Sequence, residues 1–115
     1  MRSERIWSSG DVIKLGAGCY LVDLGGGVAL IQCDYVAATT AYSFTRIGTL
    51  PDGYVLRRLE PDVSGTFVAP MSYRGRMNAN SLLEARPDGS VNVYTPTTDK
   101  YYCGQLTILY DRDDG

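Results

Sequence analysis

Residues 19–33 read CYLVDLGGGVALIQC, and their near-symmetry about Gly26 decides the fold class. Folding the chain back at Gly25-Gly26-Gly27 sets Leu24 against Val28, Val22 against Leu30 and Leu21 against Ile31. The same register brings Cys19 directly opposite Cys33. Glycine accepts the left-handed backbone of a tight hairpin, and the flanking Val, Ile and Leu favour strands. Both faces of the pair are largely apolar, which predicts a place inside a sheet or cover on both sides.

Moving outward, residues 83–93 form a second hairpin around Pro87-Asp88-Gly89. A two-residue loop would set Glu84 against Val93 and mix polar with apolar. A three-residue loop sets Leu83 against Val93, Ala85 against Val91 and Glu84 against Asn92, so each face keeps one character. Pro at the second position of a type I turn, with Gly89 in the left-handed place, suits that loop. The Pro-Asp-Gly triplet recurs at residues 51–53. Pro61 and Pro70 predict edge strands or loops, because proline cannot donate within a central ladder.

Glycines and prolines leave segments of about 5–10 residues, too short for helices of several turns. The chain is therefore all-β and antiparallel, with about seven or eight strands in a sandwich, a jelly roll or a small barrel. Residues 1–10 read as a polar arm or linker remnant, 11–110 as the one domain and 111–115 as a charged tail.

Composition narrows the chemistry. The 115 residues hold no His, 11 Lys plus Arg and 13 Asp plus Glu, a net charge of −2. That removes the commonest general base and metal ligand, and it disfavours broad nucleic-acid binding. No apolar run approaches the ~20 residues of a membrane span, and residues 1–10 lack the apolar core of a signal peptide. The expectation is no membrane, no metal, no cofactor and no catalytic residue. Three cysteines without a CxxC spacing read as reduced, buried thiols; a Cys19–Cys33 disulfide is the alternative. Asp23, Asp34, Glu60 and Glu84 are the carboxylates that a glycosidase would need, and solvent-facing charge accounts for them equally well.

Nine tyrosines are the surplus, suited to sheet cores, subunit contacts or sugar-binding surfaces. Residues 73–81, YRGRMNANS, gather Tyr73, Arg74, Arg76, Asn78 and Asn80 around Gly75. An aromatic beside planar multi-donor groups fits a hydroxyl-rich or carboxylated ligand. An ordinary solvated loop is the competing expectation.

Residues 47–54, Ile-Gly-Thr-Leu-Pro-Asp-Gly-Tyr, resemble the G-x-L-P-x-G-Y-R-P signature in C-terminal domains of bacteriophage tail-fibre, baseplate and other receptor-binding proteins. A later x-D-G-x-V turn, here residues 87–91, and a tyrosine-bearing last strand, here 104–110, follow the same order. Where the signature has Arg-Pro, this chain has Val55-Leu56. The resemblance implies a jelly-roll-like sandwich that associates with two further copies as a homotrimer. It would sit in the virion, at the tip of a tail fibre or baseplate, assembled in the host cytoplasm. Its task would be to bind a bacterial surface saccharide or teichoic acid. A purely structural trimerising segment is the alternative, and a carboxylate-based glycan hydrolase a remote one.

Overall fold

The computed structural model describes residues 12–58 and 65–113, and every regular element among them is a strand. In chain order these are β1 (Val12–Gly16), β2 (Cys19–Gly25), β3 (Val28–Val36), β4 (Ser43–Thr49) and β5 (Tyr54–Leu56). They continue as β6 (Phe67–Tyr73), β7 (Arg76–Ala85), β8 (Ser90–Thr95) and β9 (Tyr102–Arg112). Among the described residues there are nine strands, more than the seven or eight expected. All pairings are antiparallel and run as one path, β1-β2-β3-β9-β6-β7-β8-β4, with β5 added to the end of β9. The last strand in sequence is therefore a central one.

The sheet curls until its outermost strands, β1 and β4, approach each other at two glycines. A Cβ on Gly16 would run into the Ile47 carbonyl oxygen, and one on Gly48 would lie 3.0 Å from Leu15 Cβ. Only residues without side chains allow these backbones so close. The result is a nearly closed, barrel-like sheet. Its interior holds Leu21, Ile31, Met71, Leu83, Val93 and Ile108, all without solvent exposure.

Both hairpin registers appear as the facing residues dictate. Leu21 pairs with Ile31, Val22 with Leu30 and Cys19 with Cys33. At the tip, however, Gly25 pairs with Val28, so Leu24 stands outside the ladder and the turn is Gly26-Gly27. The Asp23 carboxylate accepts the Gly25 amide at 2.8 Å and fixes this irregularity. Leu83 pairs with Val93, Glu84 with Asn92 and Ala85 with Val91, as the three-residue loop requires. Arg86 and Ser90 close that loop, and Gly89 has φ +88°.

Pro70 lies within β6, between β9 and β7, rather than on an edge or in a loop. The β6–β7 register shifts between Pro70 and Met71, and β6 meets β9 only at Met71 and Ser72, so no ladder bond is asked of the proline there. Pro61 and Glu60 lie outside the described residues, as do residues 1–11. At the other end, Asp111 and Arg112 belong to β9 and pair with Val55 and Tyr54. The strand thus runs two residues into the segment read as a tail. Residues 76–81, read as part of a loop, are strand β7; the only turn there is Arg74-Gly75.

Candidate ligand-binding cleft

Three departures from regular strand geometry converge beside Cys103. The first lies in β3. Cys33 pairs with Gly104 and Val36 with Tyr102, which leaves Asp34 and Tyr35 opposite the single residue Cys103. Such a bulge re-aims a side chain out of the strand alternation. Tyr35 has φ +56° and is 77% exposed.

The second is the β6–β7 turn. Tyr73 pairs with Arg76 across two residues, both left-handed: Arg74 at φ +52° and Gly75 at φ +79°. That is the geometry of a type I′ turn, whose first position favours Asn, Asp or Gly. Arginine there costs roughly 1 kcal/mol of backbone strain.

The third is the connection from β8 to β9, residues 96–101. The Thr95 hydroxyl donates to the Thr97 carbonyl at 2.7 Å and accepts the Ala38 amide at 3.0 Å. The Thr97 and Tyr102 hydroxyls lie 3.1 Å apart. These contacts tie down the loop that presents Asp99, Lys100 and Tyr101.

Between the three elements lies a cleft of about 600 Å³, lined chiefly by Tyr35, Tyr73, Arg74, Asp99, Lys100 and Tyr101. The Tyr73 ring packs on the buried ring of Tyr102, with centroids 5.5 Å apart. Lys100 Nζ lies 5.6 Å and Arg74 Cζ 5.9 Å from the centroid of the Tyr73 ring. Tyr73 is thus a platform that holds two cationic groups at the cleft. Tyr35 and Tyr101, at 77% and 59% exposure, offer open rings. Flat apolar faces with polar tips beside two cations can take an anionic polyol or saccharide, the rings meeting C–H faces and the cations a phosphate or carboxylate.

Of the residues expected from sequence, Tyr73 and Arg74 line the cleft. Arg76 and Asn80 are exposed on β7 and are not among its lining residues. Asn78 lies in β7 at the position facing Met71, and its side chain is outside the described part. Sequence reasoning missed Tyr35, Asp99, Lys100 and Tyr101. For Tyr35 a signal existed: Ile31 and Cys33 alternate inward, yet the next buried residue of β3 is Val36, one place out of step.

A second constellation lies at the opposite end of β9. The Tyr110 hydroxyl donates to Asp23 Oδ1 at 2.5 Å, and the Tyr54 hydroxyl donates to Oδ2 at 2.6 Å. Arg112 stands over the Tyr54 ring at 4.4 Å. Burial alone would raise the Asp23 carboxyl, but hydrogen bonds from Tyr110, Tyr54 and the Gly25 amide outweigh it. With Arg112 nearby, they hold it below the usual carboxylate range. Both oxygens are engaged by donors, so this group ties β5 and β9 to β2.

The thiols divide into two kinds. Cys19 and Cys33 are fully buried with sulfurs 3.6 Å apart, while Cys103 is half-buried at the cleft. Among the described residues, no three His, Cys, Asp or Glu side chains are grouped to hold a metal ion. No protein-family model, curated protein or solved structure matches the chain.

Proposed function

We propose that this chain is a non-catalytic binding module that attaches to an anionic bacterial surface glycan or teichoic acid through the cleft around Tyr73. One observation carries the reading: Lys100 and Arg74 both rest on the Tyr73 ring, beside the exposed rings of Tyr35 and Tyr101. Holding cations on an aromatic platform reduces the rotamer freedom that binding would otherwise freeze. The saturated carboxylate of Asp23 favours binding over hydrolysis at the other end of the sheet.

The resemblance of residues 47–54 supplies the setting: the jelly-roll-like receptor-binding head of a phage tail fibre or baseplate, working as a homotrimer in the virion. Several copies in one assembly would multiply a weak site. The direct test is calorimetric titration with poly(glycerol phosphate) and, separately, with a neutral dextran. Binding of the first and not the second is expected. Arg74→Ala combined with Lys100→Ala should weaken it at least tenfold, and equal binding of both polymers would overturn the reading.

A second reading, a structural segment that only self-associates, draws on the outer face of the sheet. Pro70, Leu82, Tyr94 and Phe44 stand in register across β6, β7, β8 and β4. Phe44 and Tyr94 are in ring contact at 5.1 Å, and Tyr42 adds to the cluster. Light scattering on the purified chain separates the possibilities: a trimer that binds no glycan favours this second reading.

A further inference from the structure

Next to the cleft, along β9, lies a second depression of about 390 Å³ lined by Gln32, Ala69, Pro70 and Gln105. Ser72 and Cys103 line both. They are cross-strand partners, and the Ser72 hydroxyl donates to the Cys103 carbonyl at 3.3 Å. The two depressions therefore meet at one shared waist. Gln105 follows Cys103 by two residues on the same face of β9, a rise of roughly 7 Å.

The two halves differ in chemistry. The Tyr73 half holds Arg74 and Lys100. The other half holds two carboxamides, since Gln32 and Gln105 are direct partners across β3 and β9. Gln32 already donates to Asp34 at 3.2 Å, which leaves Gln105, exposed, as the more adaptable of the two. A carboxamide both donates and accepts, as a hydroxyl-bearing unit requires, and carries no charge to select an anion.

We infer that the two depressions are subsites of one trench that takes an oligomer rather than a single unit. An anionic group lies between Arg74 and Lys100, the chain passes over Ser72 and Cys103, and the hydroxyls of the next unit meet Gln105. This rests on the binding role of the Tyr73 cleft and adds to it a length requirement and a polarity along the trench.

The experiment compares the intact chain and its Gln105→Ala variant with glycerol phosphate and with its synthetic dimer and tetramer. Hexuronate oligomers of the same lengths form the carboxylate arm. In the intact chain the tetramer of the better series is expected to bind at least tenfold more tightly than its monomer, beyond the statistical factor of about four that repeated units give. In Gln105→Ala that ratio should fall at least threefold while monomer affinity stays unchanged. Alkylation of Cys103 by iodoacetamide should be slowed by tetramer much more than by monomer at equal site occupancy. A tetramer advantage no larger than fourfold, or one that survives Gln105→Ala, overturns the trench and leaves the cation cleft standing. Failure of every anionic probe to bind the intact chain overturns the cleft and the trench together.

Discussion

The Tyr110 hydroxyl sits 2.5 Å from the Asp23 carboxylate, joining residues 87 positions apart. With Tyr54 on the other oxygen, it fastens the β2–β3 hairpin to the far end of β9 and to the short strand β5. Tyr110→Phe removes one charge-assisted hydrogen bond and should cost about 1.5–3 kcal/mol in urea unfolding. Asp23→Ala leaves two hydroxyls without their acceptor and should cost more.

The same lock sets a pH window. The folded carboxyl of Asp23 is held low, so its contribution is present above the unfolded value and fades as pH falls through the folded one. Tyr110 behaves in the opposite sense. Burial, and then its bond to Asp23, pushes its hydroxyl up to about 12. Its contribution is whole below the unfolded tyrosine value of about 10 and is lost as pH rises from there towards 12. Burial and Asp23 also push the Tyr54 hydroxyl up, so absorbance titration of phenolate should show two late-ionising tyrosines, one of which disappears in Tyr110→Phe.

Arg74 occupies a left-handed turn position that suits asparagine. Arg74→Asn should raise stability by about 0.5–1 kcal/mol. It should simultaneously weaken binding of poly(glycerol phosphate), since one of the two cations is gone. A thermal melt beside a binding titration checks both signs in one protein.

Gly16 and Gly48 let β1 and β4 come together. Gly16→Ala places a methyl group against the Ile47 carbonyl and should destabilise by about 1–3 kcal/mol, the range for overpacked sites. Urea midpoints of Gly16→Ala and the parent chain provide the measurement.

The cysteines should separate by reactivity. The hydrogen bond between Cys33 and Cys19, and then burial, push the Cys33 thiol up, and both sulfurs are shielded from solvent. One thiol, Cys103, should react with an aromatic disulfide reagent in the folded protein, and three in denaturant.

Much of the sheet was legible where two faces differ in polarity. Glu84 opposite Asn92 and Leu83 opposite Val93 admit one register only, because a one-residue slip turns apolar residues outward. The glycine tip was less so: a carboxylate two residues away, Asp23, captures the Gly25 amide and shifts the final pair. Of the cleft's chief lining residues only Tyr73 and Arg74, neighbours in sequence, were legible. Tyr35, Lys100 and Tyr101 reach the same place only because β3, β6 and β9 are adjacent, and residue order along a chain carries no such adjacency.

The position of β9 governs how this protein comes to exist. It lies between β3 and β6 and also carries β5, so a chain synthesised only as far as residue 101 has no partner for any of those three edges. Such a nascent chain would expose open strand edges, and sheet completion waits for the last strand to emerge. Assembly of the barrel is therefore a late, cooperative event, and its vulnerable interval to aggregation falls before Tyr102 is made.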